Sequence, residues 1–146
     1  MITHDFHIET KWSGGRNKIG SFKSEHLDGN ISIPTELGGV GEASNPDELL
    51  ISAASSCYII SLAAALERAR FEQVEIHMKS IGTATLNHGE FRMKSITHYP
   101  SIKVDASNHD RLEKRLPSLI EIADKHCMVS QAIKGNVEIQ IDPQID

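Results

Sequence analysis

Apolar and polar positions alternate near both ends of this chain and give way, between them, to one long stretch without charge. Near the start, Phe6, Ile8 and Lys11-Trp12 form a strand-like run that stops at Ser13-Gly14-Gly15. A second run over residues 19–24 leads toward a turn expected at Asp28-Gly29-Asn30, and Ile31-Ser32-Ile33 alternates before Pro34. After the glycine-rich loop Gly38-Gly39-Val40-Gly41 comes the strongest signal, a helix predicted over residues 45–70. Asn45 suits the N-cap, Pro46 the first helical position, and Glu48 the carboxylate of a capping box. Residues 49–66 carry no charge and, at about 1.5 Å per residue, span about 27 Å. Arg68 and Arg70 then complement the negative end of the helix dipole.

Beyond the helix, residues 74–86 and 91–105 read as two long strands joined by Asn87-His88-Gly89. Val74, Ile76 and Met78 alternate with Glu75, His77 and Lys79, which predicts one covered and one wet face. A second helix is predicted over residues 107–126, where Pro117 should kink it or divide it in two. Residues 127–133 read as a further helical turn closed by Gly135, and Val137-Glu138-Ile139-Gln140-Ile141 as a last strand. No segment repeats. The order is strands, long helix, hairpin, helix, strand, which predicts an α+β fold and a single domain over residues 1–146.

Composition narrows the class. The chain is 39% hydrophobic and 24% charged, as expected of a globular protein, and its net charge of -5 gives no footprint for nucleic acid. Two cysteines cannot build a disulfide scaffold or a four-thiolate zinc site. Eight scattered histidines form no helical i, i+4 pair and no His-Glu-x-x-His motif, so no metal is expected. Met1-Ile2-Thr3-His4-Asp5 lacks the basic and apolar regions of a signal peptide, and the expected location is the cytoplasm, where cysteine pairs are more often reactive than structural.

The uncharged stretch has three readings. It approaches the ~20 residues of a bilayer crossing, yet Ser52, Ser55, Ser56 and Ser61 dilute it, no Trp/Tyr belt flanks it, and its neighbours are amphipathic strands; a membrane span is rejected. As a core helix it must be covered on every side, and one 146-residue chain has few elements to do so. A symmetric dimer with two such helices packed together solves this. The third reading is chemical: Cys57 shares a face with Leu50, Ala53, Ala54, Ile60, Ser61 and Ala64, mostly small residues that let a ligand approach the sulfur. Helix–helix contact explains the same pattern.

A cysteine in an apolar helix packs as a small hydrophobe unless something ionises it. A nucleophilic thiolate needs a nearby positive charge or a helix N-terminus, and Cys57 sits mid-helix, so the cation must come from elsewhere. Arg16, after the flexible Gly14-Gly15, is the candidate; otherwise it is an ordinary loop arginine. A buried guanidinium needs a carboxylate to hold its fork, and Asp47 and Glu48 are available. Asp47 precedes Cys57 by ten residues, about 15 Å along a continuous helix and about 80° round it. Either the helix bends or the carboxylate comes from a partner subunit. Cys127 is the second thiol, able to resolve a sulfenic acid on the first or to serve as core packing. Gly39-Val40-Gly41 before a helix is a weak nucleotide-binding signal without a third glycine, a P-loop lysine or a βαβ context.

Taken together, Gly14-Gly15-Arg16, Glu36-Leu37-Gly38-Gly39, Asn45-Pro46-Asp47-Glu48-Leu49-Leu50, Ser56-Cys57, and His126-Cys127 with Ser130 and Gly135-Asn136-Val137 resemble the OsmC/Ohr family of thiol-dependent peroxidases over essentially the whole chain. The resemblance implies an intertwined α+β homodimer, sheets wrapped around long central helices, with two sites at the interface. It implies a peroxidatic Cys57, a resolving Cys127, and an Arg16–carboxylate pair over the sulfur. Asp47 stands at the motif's acidic position, where family members usually carry the longer glutamate, and Glu48 is next to it. Met128 replaces the proline that commonly follows the second cysteine. The activity implied is reduction of organic hydroperoxides to alcohols without a cofactor, recycled by an external thiol or a lipoyl-type dithiol. The alternative is an OsmC-like dimer without peroxidase activity, its cysteines being core filler.

Overall fold

The computed structural model describes all 146 residues as two compact units, residues 1–49 and 50–146. In the first unit β1 (Glu9–Lys11), β2 (Gly20–Lys23) and β3 (Asp28–Ile31) form an antiparallel sheet in that order. Asp28-Gly29-Asn30, expected as a turn, is strand instead. The turn comes earlier, where the Ser24 hydroxyl accepts from the Leu27 N–H (3.1 Å) and the Ser24 N–H donates to the Leu27 carbonyl. That placement pairs Phe22 of β2 with Gly29, which leaves room for the buried Phe22 ring. The buried Ser32 hydroxyl then accepts from the Ala43 N–H (3.1 Å) and its N–H donates to the Ser44 carbonyl (2.8 Å), pinching off the glycine-rich loop.

The long helix α1 spans Pro46–Arg68. Asn45 caps it as expected, its Oδ1 accepting from the Glu48 N–H at 2.9 Å. The Glu48 carboxylate does not close a capping box; it accepts from the Ser44 hydroxyl at 3.0 Å. Arg70 lies past the helix end in a left-handed conformation (φ 65°), not in the last turn. The Ala65, Leu66 and Glu67 carbonyls of the last turn accept from the Ala69, Phe71 and Arg70 N–H groups, and Arg111 donates to the Ala69 and Arg70 carbonyls just beyond while lying 3.8 Å over the Phe71 ring.

In the second unit β4 (Glu75–Asn87) and β5 (Glu90–Lys103) form the expected hairpin, turning at His88-Gly89, both with positive φ as a tight type I′ turn requires. Ile76 and Met78 are half-buried while Glu75, His77 and Lys79 are exposed, the alternation the sequence predicts. α2 (His109–His126) runs unbroken through Pro117, where a kink or a break is expected. Pro117 is exposed, and Leu112, Leu116, Leu119 and Ala123 hold both halves of the helix to the core, which outweighs the lost hydrogen bond. After α3 (Met128–Ile133), β6 (Glu138–Ile141) and β7 (Gln144–Ile145) both pair parallel to β5.

Tyr58, Leu62, Ala65 and Leu66 of α1, Phe71, Ile102 of β5, the apolar face of α2 and Cys127 make the main core. Gly82 of β4 lets α1 lie close to the sheet: a Cβ there would fall 2.3 Å from Ile51 Cδ1. The opposite side of α1 is open. Ser52, Ala53, Ser56, Ile60 and Ala63 are exposed, and only 28% of the helix's most apolar 18-residue stretch is buried.

Candidate active site

Cys57 and Cys127 are far apart in sequence, and packing brings them together. Leu62, Ala65 and Leu66 press α1 onto the same core as Leu116, Leu119 and Ala123 of α2. Cys57, half-buried on α1, then faces Cys127, which is fully buried at the joint between α2 and α3. Both pack into one core, close enough for Cys57 to act on the Cys127 thiol, and both are free thiols. Burial pushes the Cys127 thiol upward, the Ser130 hydroxyl and amide oppose it, and the neighbouring Cys57 pushes it further up. The Ser130 hydroxyl, itself buried, donates to the Cys127 sulfur at 3.0 Å.

Behind the cysteines stands a polar cluster in an apolar shell. Tyr58, adjacent to Cys57, is fully buried and donates to the Ile120 carbonyl of α2 at 3.4 Å. Burial, aided by the Asp124 carboxylate and Cys127, raises its phenol well above the ordinary range. Its ring stacks on His98 of β5, whose Nδ1 lies 2.6 Å from the Ser80 hydroxyl of β4 and whose Nε2 has no partner. Burial lowers the His98 pKa, with Asp124 opposing, so the imidazole is neutral near pH 7. Neither Tyr58 nor His98 is among the site residues expected from the sequence, although a signal is present. His98 falls in phase with Ile96, Pro100 and Ile102, the inward positions of β5.

The other predicted site residues belong to the first unit. Arg16 follows a loop held by the Trp12 indole, which donates to the Gly14 and Gly15 carbonyls at 3.2 Å each. Its guanidinium is exposed and donates to the Leu37 carbonyl at 3.2 Å. It forms no ion pair with Asp47 or Glu48; within the unit, Glu48 is engaged by Ser44, and Asp47 is half-exposed in the first turn of α1. Three potential metal ligands, His109, Asp110 and Glu113, gather on the exposed first turns of α2, an arrangement common without an ion.

Two vicinal thiols, one buried and hydrogen-bonded and the other accessible, can pass through a sulfenic acid to a disulfide. The chain is 42% identical to the uncharacterized protein YmaD of Bacillus subtilis (strain 168), over 99% of this chain and 97% of that one. It is 25% identical to an organic hydroperoxide resistance protein of Xanthomonas axonopodis pv. citri, covering 88% of this chain and 87% of the other. An OsmC-like protein of unknown function from Vibrio cholerae, VCA0330, shares its fold with a TM-score of 0.78 at 14% identity, covering 95% of this chain and 99% of its own. The α+β architecture is common to both. Residues 39–142, which hold Cys57, Cys127 and Ser130, match the OsmC-like protein family, and the chain belongs to that family.

Proposed function

We propose that this protein is a cysteine-based peroxidase that reduces organic hydroperoxides to alcohols. The observation that carries the reading is the packing of the half-buried Cys57 into the same core as the fully buried Cys127. The Cys57 thiolate attacks the distal oxygen of the hydroperoxide. A sulfur–oxygen bond forms, the O–O bond breaks, and the alkoxide leaves and takes a proton from water. Cys127 then attacks the Cys57 sulfenic acid, giving a disulfide and water, and an external thiol or a lipoyl-type dithiol reduces the disulfide. The apolar residues on the helical face of Cys57, Leu50, Ala53, Ala54 and Ile60 among them, favour an alkyl or lipid hydroperoxide over hydrogen peroxide.

The active form is a homodimer. The open side of α1, with Ile60 68% exposed among small residues, supports a second copy packed against it. Arg16 supplies the cation that keeps Cys57 ionised, at an interface where Asp47 or Glu48 holds its guanidinium. No cofactor, nucleic acid or membrane takes part, and the two free thiols suit a reducing cytoplasm.

The experiment is consumption of cumene hydroperoxide by the reduced protein with a dithiol reductant, for the parent, Cys57→Ser and Cys127→Ser. The parent is expected to turn over and Cys57→Ser to be inactive. Cys127→Ser should oxidise Cys57 once to a species trapped by dimedone. Undiminished turnover by Cys57→Ser, or thiols in the parent inert to hydroperoxide, overturns the reading.

A further inference from the structure

We propose that Ser130 is a positioning residue for Cys127: its buried hydroxyl, 3.0 Å from the sulfur, directs the Cys127 proton toward Cys57 and holds the negative charge when that proton leaves. The chemical consequence rests on the peroxidase reading; the hydrogen bond does not.

Cys127 has no exposed surface, and a buried thiol ionises reluctantly. Attack on a sulfenic acid nevertheless requires thiolate character. Cys57 and Tyr58 of α1 face Cys127, and Asp124 of α2 and His98 of β5 act on Tyr58 in turn. None of these is a cation, since burial keeps His98 neutral near pH 7. Tyr58 commits its proton to the Ile120 carbonyl. The Ser130 hydroxyl is therefore the side-chain donor left for the sulfur, and the Ser130 amide acts in the same direction. With that donor on one side, the thiol proton is directed to the other side, toward the neighbouring Cys57 sulfur.

Once Cys57 is a sulfenic acid, its oxygen occupies that direction. The Cys127 sulfur attacks the Cys57 sulfur, the S–S bond forms and the S–O bond breaks. The departing hydroxide takes the Cys127 proton and leaves as water. Ser130 lowers the cost of this step because a hydrogen bond to a charged acceptor is stronger than one to a neutral acceptor. Its hydroxyl bonds Cys127 directly and acts on Cys57 only through that thiol.

Two measurements test the assignment on the full-length protein. In a Cys57→Ser background with 13Cβ-labelled cysteine, NMR reads the ionisation of Cys127 without peroxide and without reagent access. Ser130→Ala is expected to move its midpoint upward by about one pH unit, and Ser130→Thr, which keeps the hydroxyl, to hold the parent value. With Cys57 present, single turnover with cumene hydroperoxide separates the two chemical steps. Ser130→Ala should close the disulfide about tenfold more slowly at pH 7, a larger loss than in formation of the Cys57 sulfenic acid, with the pH profile of closure displaced upward. An unmoved Cys127 titration in Ser130→Ala overturns the proposal, as does Ser130→Thr behaving like Ser130→Ala. A moved titration in a protein that consumes no hydroperoxide upholds the Ser130 assignment and overturns the peroxidase reading instead.

Discussion

Tyr58 lies flat against His98, their ring centroids 5.2 Å apart and their planes 12° from parallel. Since Tyr58 neighbours Cys57 on α1, the stack ties the thiol-bearing turn of the helix to β5, and Ser80 of β4 anchors the imidazole from behind.

His98 makes this anchor dependent on pH. Its imidazole pKa is lowered by burial in the folded chain, whereas the unfolded chain titrates near the ordinary value of ~6.5. Below that value the unfolded state takes up a proton the folded state resists, so the His98 contribution favours folding above it and is lost as pH falls. Urea midpoints at about pH 7.5 and about pH 5.5 are expected to show lower stability at the acid value. His98→Gln should shrink the difference, because the exposed histidines are common to both proteins. An unchanged difference removes His98 as its source.

Gly82 is where helix and sheet come closest. An added Cβ would fall 2.3 Å from Ile51 Cδ1 and 2.6 Å from Cγ1, so Ile51 must move. Gly82→Ala is expected to cost about 1–3 kcal/mol, the usual penalty of overpacking. Ile51→Val in the same chain removes the colliding methyl and should restore part of it. Chemical denaturation of the two single variants and the double variant measures the coupling, and strictly additive losses would show that the close approach is not the cause.

Much of this was legible because local signals agreed with the tertiary outcome. The absence of charge from residue 49 to 66 and the cap at Asn45 predict α1 almost to its ends. The alternation around Ile76 and Met78 predicts β4 and its faces. What a local pattern cannot carry is long-range pairing: nothing in Val137 to Ile141 says that β6 runs parallel to β5. The turn at Ser24 to Leu27 lay hidden because Asp28-Gly29-Asn30 has stronger turn residues, and the burial of Phe22 opposite Gly29 overrides them. At the site, both cysteines stood out as residue types. Their juxtaposition depends on how α1 and α2 share a core, and the role of His98 on the inward phase of β5.

Pro117 is the second place where packing overrides propensity. It sits inside α2 with its ring exposed, so its side chain contributes little to the core. A proline in a helix interior is about 3 kcal/mol less favourable than alanine, offset by up to ~1 kcal/mol through its restriction of the unfolded chain. Pro117→Ala is therefore expected to stabilise the protein by about 2 kcal/mol, read as a higher thermal midpoint. A lower midpoint would mean that the proline geometry is itself required for α2 to present Leu116 and Leu119.

Ile60 tests the proposed assembly. At 68% exposure it projects from the open side of α1 beside Ser56 and Ala63, where burying one isoleucine contributes about 1.5–3 kcal/mol. In the homodimer an aspartate at this position would bury an unpaired carboxylate, which costs more than the lost methyls. Sedimentation velocity is expected to give a dimer for the parent and a monomer for Ile60→Asp. The thermal midpoint of the parent should rise with protein concentration, and that dependence should vanish in the variant because dimerisation no longer draws on the folded state. The Ile60→Asp monomer should also lose hydroperoxide turnover, because in the proposed assembly Arg16 is supplied to Cys57 across the interface. A dimer that survives the substitution would place the interface on another surface, and an active monomer would show that one chain completes the site.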